Sequence, residues 1–409
     1  MSKKNKSRSA KKNKLRNTKK IKKKVVNEQI VDFNRVHDFI GKLLGRNVHA
    51  KRILSISNAV LGVITSASLA ISLIGQGFAS AKGKATKHAV KQVDRLLGNH
   101  KFAVWAYFEN WIDQIVGART SVIIALDWTD FDKDNQSTLA LYLTTSHGRS
   151  TPLLWKTYNK SKVKGNRVKY EKKILRRLKK LSPEHIVITI LADRGFGYVE
   201  FYTELERLGF YYVVRFKGNV NVFNSKGEVK LAKEWVGKNG RAKRLENAKV
   251  TLSEEKAVAV IVCTQDKKMK EPWCLASNNS ELKTAEIVNY YSKRWCIEPT
   301  FRDQKDIRFG MGMYNIRVSK PIKRDRLFFL AAISCVLLTI LGAAGEAIGM
   351  DRTLKANTVK RRTHSLFRQG VMLYELIPEM AEDRLLNLIN KFHELLMKNK
   401  LTKDILFVV

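Results

Sequence analysis

The chain has 409 residues, of which 44% are hydrophobic, and its 77 Lys and Arg against 37 Asp and Glu give a formal net charge of +40. The apolar content is enough for the cores of two or three domains and excludes a chain that is disordered throughout. A net charge of this size repels itself unless it is neutralised, so it predicts a polyanionic partner. Nucleic acid is the first candidate and an anionic membrane surface the second.

Four cysteines are present, and their spacing contains neither a CxxC pair nor a zinc-binding pattern. This indicates free thiols in a reducing compartment, and the basic N-terminus lacks the apolar region and cleavage site of a secretory signal. We therefore expect a cytoplasmic protein. The cysteines are Cys263, Cys274, Cys296 and Cys335.

The N-terminal part divides into a tail and a helical domain. Residues 1–24 are rich in Lys, Arg, Asn and Ser and contain no acidic residue, which predicts a disordered basic tail. The sequence leaves open whether this tail contacts DNA or only keeps the protein soluble. Residues 25–118 are predicted to be helical, and we assign them to a DNA-binding domain.

One predicted helix of this domain, Lys84–Leu97, separates basic from apolar residues. A helix with a wholly basic face fits a DNA groove, although an ordinary amphipathic helix in a lysine-rich protein shows the same pattern. Gly98 is predicted to be its C-cap. The basic face consists of Lys84, Lys87, His88, Lys91 and Arg95.

Two apolar stretches, Ile53–Gly75 and Leu327–Ala344, are long enough to be mistaken for membrane spans. Both contain small residues and hydroxyl groups, a composition that suits helices packed inside a protein. We therefore predict core helices and no membrane partner.

From residue 119 the pattern changes to strands. The run SVIIALDW reads as a buried strand that ends at Asp127, and HIVITILADRG places Asp193 at the end of another. With the strands and helices around them, these runs predict an α/β domain with a mixed sheet over residues 119–216. Strand ends of such sheets are where sites form, so both aspartates are candidate site residues.

Residues 217–280 contain short strand-like pieces separated by Gly and Asn turns. We interpret them as an all-β insertion that does not continue the layer of the preceding strands. Residues 281–350 are predicted to be the second part of the α/β domain, and residues 351–409 a helical C-terminal region.

The run YYSKRWCIEPTFRDQKD carries four residues that fall within an arc of about 60° on a helix. They are Tyr291, Arg294, Glu298 and Lys305. A carboxylate between cations, with an aromatic ring upstream, can hold a metal ion beside a nucleic-acid phosphate. Arg302 shares this face, although an ion pair with a neighbouring aspartate would also explain it. Pro299 directly follows the carboxylate and is expected to kink the helix there.

Three acids on three separate elements are what two divalent ions need for phosphoryl transfer. Two Mg²⁺ ions about 3.5–4 Å apart activate the attacking oxygen and stabilise the leaving one, and Mn²⁺ can replace them. The predicted metal ligands are Asp127, Asp193 and Glu298. Each acid alone is also explained as a turn cap, so the prediction depends on the set.

These motifs resemble the DDE transposases of bacterial insertion sequences, in the branch with a Tyr-x2-Arg-x3-Glu-x6-Lys signature (the insertion-sequence-four family). The signature is matched, without a change of spacing, by Tyr291, Arg294, Glu298 and Lys305. Asp127 in LDWTD and Asp193 in LADRGFG match the two aspartate motifs. The segments KQVDRLLGN, SHGRS and EPWCLASN are also similar to members of this branch.

The resemblance implies an RNase H-like catalytic domain, a β insertion before the catalytic Glu helix and a helical N-terminal DNA-binding domain. It also implies Mg²⁺-dependent cut-and-paste movement of the protein's own element through a hairpin intermediate. The implied partners are the terminal inverted repeats, the target DNA and a second copy of the chain, all at the bacterial nucleoid.

The same likeness implies roles for further residues. Tyr291, Arg294 and Lys305 would hold phosphates of the cleaved end, and Arg149 in SHGRS would bind DNA. Trp273 would hold a base that leaves the stack at the hairpin, although a core tryptophan in a strand fits equally well.

Two alternatives share the acids or the charge. A structure-specific nuclease on the same fold needs no hairpin apparatus, and a decayed transposase would only bind DNA. The Tyr-Arg-Glu-Lys set argues against a plain DNA-coating protein and against a membrane protein.

Overall fold

The computed structural model describes residues 33–45, 48–117, 119–306 and 310–397, so the predicted tail at 1–24 lies outside the described residues. The helices are α1 (Phe33–Leu44), α2 (Ala50–Ser66), α3 (Ile71–Lys82), α4 (Thr86–Gly98), α5 (Val104–Val116), α6 (Lys160–Val163), α7 (Arg167–Leu181), α8 (Val199–Arg207), α9 (Thr284–Ser292), α10 (Ile297–Lys305), α11 (Pro321–Ala347), α12 (Leu366–Leu376) and α13 (Glu382–Met397). The strands are β1 (Ser121–Phe131), β2 (Gln136–Thr144), β3 (Ser150–Asn159), β4 (Val187–Ala192), β5 (Tyr211–Phe216), β6 (Asn221–Phe223), β7 (Val229–Leu231), β8 (Lys243–Val250), β9 (Lys256–Thr264) and β10 (Trp273–Ser277).

The described chain divides into two compact units. The helical unit holds the chain up to Asn110, the segment Arg302–Ile316 and the chain from Arg326 onward. The α/β unit holds Trp111–Phe301 and Arg317–Asp325.

In the helical unit, α2 and α3 cross at a bend of 97° and approach each other closely at glycines. A Cβ atom on Gly62 would lie 2.3 Å from the carbonyl oxygen of Ile74, and one on Gly77 would lie 2.6 Å from the carbonyl oxygen of Gly62. Only glycine permits this contact between helix backbones. The small residues of the apolar stretch Ile53–Gly75 therefore serve packing, as predicted.

Helix α4 differs from its predicted bounds at both ends. Gly83 adopts a left-handed conformation (φ 60°) and ends α3, and the amide of Lys84 closes the same turn on the carbonyl oxygen of Ala79 at 2.9 Å. Lys84 therefore precedes α4 and does not belong to its basic face. Gly98 is the last helical residue, and the C-cap is Asn99 with φ −69°. The predicted glycine cap is wrong because this helix ends without a left-handed residue.

Among the described helices, α11 is long and apolar enough to cross a membrane, and α2 with α3 passes the same test only as one broken span. In α11, 89% of the most apolar 18-residue window is buried inside the protein. A core helix of a soluble protein shows this burial, which is the interpretation made for Leu327–Ala344.

The α/β unit is built on one ten-stranded mixed sheet in the order β3-β2-β1-β4-β5-β10-β9-β8-β6-β7. Strands β1 to β3 form an antiparallel meander, and β4 and β5 follow parallel to β1. This order of the first five strands is consistent with the RNase H-like domain that the resemblance implies. Every residue of β2 is buried, as expected for a strand covered on both faces.

The prediction that residues 217–280 form a separate β layer is wrong. Strand β10 pairs antiparallel with β5, and β9, β8, β6 and β7 extend the sheet beyond it. Strand-like patterns are short-range signals, whereas pairing to β5 depends on backbone groups that lie far away in sequence.

The free thiols predicted for the four cysteines are confirmed. Cys263 and Cys274 are buried on neighbouring strands, and Cys296 and Cys335 are half-buried.

A buried carboxylate joins α7 to α8. Glu204 is 5% exposed and accepts hydrogen bonds from Arg176 and Arg207. Burial alone would raise the pKa of Glu204, but the bonds from Arg207 and Arg176 outweigh it and lower the pKa to about 2. Because the folded-state pKa lies below the unfolded value, this stabilisation is present above about pH 4.5 and is lost as the pH falls towards 2.

We therefore expect Glu204→Gln to lower the free energy of unfolding by about 1–2 kcal/mol at pH 7, because the arginines lose a charged acceptor. Urea unfolding of both proteins at several pH values measures this. The difference between them should shrink below about pH 4.5. A difference that stays constant down to pH 3 would contradict the assignment.

Candidate active site

The two predicted catalytic aspartates lie on neighbouring strands. Strands β1 and β4 run parallel, and their last register pair is Leu126 with Ala192. Asp127 is the next residue of β1 and Asp193 is the first residue after β4, so the two acids follow the same register pair. Strand β1 then continues to Phe131 along β2, so the prediction that it ends at Asp127 is wrong, whereas β4 does end before Asp193.

Local hydrogen bonds orient both carboxylates. One oxygen of Asp127 accepts the amide of Trp128 at 2.8 Å. Asp193 caps the short 3-10 turn that follows it, because its Oδ1 accepts the amide of Gly195 at 2.8 Å. These bonds fix the direction of each side chain before any ligand binds.

The signature run is not one uniform helix. Helix α9 passes into a 3-10 segment, Lys293–Cys296, before α10 begins at Ile297. The predicted single helix is therefore wrong between the Tyr and the Glu of the signature. Pro299 lies in the first turn of α10, where a missing N–H leaves no helical bond unmade, so the break precedes the proline rather than following it.

Arg294 lies among the acids. Its side chain is 10% exposed; Nη1 lies 3.4 Å from Oδ2 of Asp127, and Nη2 lies 3.9 Å from Oε1 of Glu298. Burial would lower the pKa of Arg294, but Tyr291, Asp127 and Asp193 outweigh it and raise the pKa above its usual value. The buried Nε has no hydrogen-bond partner among the described residues. A permanent cation thus neutralises part of the acidic site.

The buried ring of Tyr291 packs against Arg294. It is 2% exposed, and its ring lies 5.9 Å from the guanidinium carbon of Arg294. Burial raises the pKa of Tyr291, and the positive charges of Arg294 and Arg215 only partly offset this rise. The phenol is therefore neutral at physiological pH. Trp273, the first residue of β10, is half-buried and packs edge-to-face on Tyr291 at 4.8 Å between ring centroids. The predicted base-holding tryptophan is therefore next to the signature tyrosine.

Glu298 is more exposed than the other signature residues. Its side chain is 52% exposed, and α10 is held to the sheet by the residues that follow it. The hydroxyl of Thr300 accepts the amide of Ser150 at 2.8 Å and also lies 2.9 Å from the carbonyl oxygen of Cys296. Phe301 packs edge-to-face on Tyr142 of β2 at 5.3 Å. These contacts fix the position of the helix while leaving the carboxylate accessible.

The SHGRS loop lies beside the signature segment. Burial raises the pKa of the Cys296 thiol, and the positive charge of Arg149 acts to lower it. Arg149 therefore lies near the 3-10 segment Lys293–Cys296. Arg149 is half-buried and donates to the carbonyl oxygen of Gly148 at 3.2 Å. Arg302 and Lys305, in the last turn of α10, belong to the helical unit; the former is exposed and the latter half-buried.

The sequence interpretation missed a second pair of cations. Arg215, near the end of β5, donates to Glu271 at 3.0 Å and to the carbonyl oxygen of Pro272 at 3.3 Å. Arg194, directly after Asp193, donates to the same Glu271 at 2.7 Å. An arginine inside the apolar strand FYYVVRF was the available signal, since a strand-interior cation needs an acidic partner or a ligand. Trp295, 48% exposed and 5.7 Å from Arg294, was also missed.

In the helical unit, the basic residues of α4 line a cleft of about 710 Å³. Lys91 and Arg95 reach it from α4, and Lys51 and Arg52 reach it from the first turn of α2. Lys87 is exposed on the same helix, and the ammonium of Lys84 lies 5.6 Å from the ring centroid of Phe78. Two helices therefore contribute cations to one concave surface.

In the part of the chain that the structure describes, no three His, Cys, Asp or Glu side chains stand close enough together to enclose a metal ion as placed. Asp127, Asp193 and Glu298 nevertheless offer the oxygen ligands that Mg²⁺ prefers, and two of them contact Arg294. The donor chemistry fits a divalent cation, with the guanidinium supplying positive charge among the carboxylates.

The hydroxyl group of Thr300 should contribute more to the stability of the fold than its methyl group does. We expect Thr300→Val to lower the free energy of unfolding by about 1–2 kcal/mol, because the buried amide of Ser150 loses its acceptor. Thermal or urea unfolding measures this. Thr300→Ser keeps the hydroxyl and is the control, and equal losses in both variants would show that the methyl group rather than the hydrogen bond matters.

Residues 161–337 match the family model described as Transposase DDE domain. The match includes Asp193 and the whole signature segment but begins after Asp127. No curated protein matches the chain. The domain match supports a DDE transposase.

Proposed function

We propose that this protein is a DNA transposase that moves its own insertion sequence by cutting and joining phosphodiester bonds. The observation that supports the proposal is that Asp127 and Glu298 both lie within 4 Å of Arg294, while Asp193 directly follows the strand that pairs with β1 and acts electrostatically on the same arginine. The transposase domain match over residues 161–337 supports the same reaction class. In this proposal the three carboxylates are the catalytic residues.

The carboxylates would hold two Mg²⁺ ions, or Mn²⁺ in their place, and these ions supply the polarisation of water and the stabilisation of the leaving oxygen. Asp127 and Asp193 would bind from adjacent strands, and Glu298 from α10. The chain's part would be to orient the carboxylates before DNA arrives, and the hydrogen bonds from the backbone amides of Trp128 and Gly195 support this for Asp127 and Asp193.

The cations and rings beside the acids would bind the DNA end. Arg294 stays charged at any physiological pH, so it would attract a phosphate of the DNA end electrostatically. Tyr291, a neutral phenol, supports the guanidinium, and Lys305 and Arg302 extend the cationic run along α10. Arg149 would contact the DNA backbone from the SHGRS loop.

The finer mechanism that we propose is cut-and-paste through a hairpin. Water first cleaves one strand at the element's end, and the freed 3′-hydroxyl attacks the opposite strand to form a hairpin. A second water opens the hairpin, and the 3′ end then attacks target DNA. Each step exchanges one oxygen for another at phosphorus. Trp273 would hold a base that leaves the stack at the bend, with Tyr291 behind it.

The helical unit would bind the terminal inverted repeat. Its cleft collects Lys91, Arg95, Lys51 and Arg52 on a concave surface, which suits phosphate contacts along a DNA backbone. Joining two ends requires at least two copies of the chain with DNA. The protein would act in the bacterial cytoplasm, at the nucleoid.

Glu298→Gln should abolish cleavage of a labelled duplex that carries the element's own end, with a loss of about 10³-fold or more, because a metal ligand that supplies several kcal/mol is removed. The measurement is gel analysis of nicked and hairpin products with Mg²⁺. Glu281→Gln, an exposed acid ahead of α9, is the matched control and should cleave like wild type.

The products separate the alternatives. Nicks without hairpins in the wild-type protein would favour a structure-specific nuclease. Specific binding of the end without any cleavage would indicate a decayed transposase, and cleavage by Glu298→Gln at the wild-type rate would overturn the assigned ligand.

Neutralising the cleft should weaken DNA binding in a salt-dependent way. For Lys91→Gln and Arg95→Gln we expect the slope of log K against log[salt] to fall by about 1 for each phosphate that the variant no longer neutralises. Fluorescence anisotropy with the terminal repeat from 50 to about 200 mM salt measures the slope. Lys180→Gln removes the same charge from an exposed site on α7 and should leave the slope unchanged.

A further inference from the structure

A buried glutamate lies behind the two aspartates. Glu171, in the second turn of α7, is 0% exposed and accepts three hydrogen bonds. Its Oε1 accepts the indole N–H of Trp128 at 2.7 Å and the Nε of Arg167 at 2.8 Å. Its Oε2 accepts the hydroxyl of Tyr198. Both oxygens are therefore used by side chains.

These donors come from the segments that carry the candidate metal ligands. Trp128 directly follows Asp127 on β1, and Tyr198 lies five residues after Asp193, just beyond the 3-10 turn that Asp193 caps. One carboxylate on α7 thus connects β1 at Trp128 with the segment that follows β4.

Arg167 fills the space between the same two segments. Its guanidinium carbon lies 5.6 Å from the ring centroid of Trp128 and 5.4 Å from that of Phe196. A Cβ atom on Gly195 would lie 3.4 Å from its Nη2 and 3.0 Å from Oδ1 of Asp193. The turn after Asp193 is therefore packed directly against the partner of Glu171.

Stability alone is a weak reason for this arrangement. A buried carboxylate must be desolvated, and replacing a buried ionic group by apolar residues of similar volume is often neutral or stabilising. What an apolar side chain cannot do is hold three donors at fixed positions. Burial and the nearby Glu171 also raise the pKa of Tyr198, so its hydroxyl remains a donor.

We propose that Glu171 is a positioning residue that sets the separation and direction of Asp127 and Asp193 through Trp128, Arg167 and Tyr198. The proposal deepens the proposed function and rests on it, because the separation matters only if the two aspartates share metal ions. Groups that orient metal ligands typically change metal affinity by about 10–100-fold when they are removed.

The test compares Glu171→Gln with Glu204→Gln, since both acids are buried in the α/β unit and both accept arginine donors. Glutamine has one acceptor oxygen, so it cannot serve all three donors at position 171. In cleavage of the element's own end, the Mg²⁺ concentration for half-maximal rate should rise about 10-fold or more in Glu171→Gln and stay at the wild-type value in Glu204→Gln.

A second readout needs neither metal nor DNA. Hydrogen exchange followed by mass spectrometry should show faster exchange in peptides that cover residues 127–130 and 193–198 in Glu171→Gln, and wild-type exchange there in Glu204→Gln. Tyr198→Phe removes a single hydroxyl and is the milder variant if Glu171→Gln does not fold. It should show the same directions of change.

The two proposals fail differently. If the wild-type protein does not cleave its own end, the transposase function fails while the exchange data still report on the positions of the segments. If wild-type cleaves and both Glu171→Gln and Tyr198→Phe keep the wild-type Mg²⁺ dependence and exchange, Glu171 is not a positioning residue.

Discussion

The parallel pairing of β1 with β4 is the constraint on which the candidate site depends. Its register, with Leu126 opposite Ala192, puts two carboxylates on adjacent positions of neighbouring strands. A slip of one residue would turn one of them to the other face of the sheet. The buried apolar residues of both strands prevent that slip, because each has a place in the core on one face or the other.

The residues around these two aspartates supply positive charge and hydrogen-bond donors. Arg294 approaches Asp127 and Glu298, and local amides donate to Asp127 and Asp193. Behind them Glu171 ties the two strand ends to α7. If these acids bind metal as proposed, contacts already present in the protein would limit the reorganisation needed at the reaction.

The acidic centre sits in a chain with a net charge of +40, and this contrast suits a protein that works on DNA. Within the helical unit, cations of α2 and α4 line one cleft, and such a basic surface can attract a polyanion. Glu271 accepts hydrogen bonds from both Arg194 and Arg215, and its charge neutralises part of theirs beside Asp193.

The kinds of secondary structure around the candidate site could be predicted from the sequence. The apolar runs before Asp127 and Asp193 predicted buried strands, since a strand covered on both faces has no other composition open to it. The spacing of Arg294 and Glu298 predicted their proximity, and Nη2 of Arg294 lies 3.9 Å from Oε1 of Glu298 although the 3-10 segment ends between them. The register of β1 with β4, the continuation of the sheet through β10, and the partners of Glu171 and Arg215 could be read only from the folded chain. Each of these joins residues far apart in the chain, and local patterns of hydrophobicity do not specify which distant backbone or side chain completes a pair.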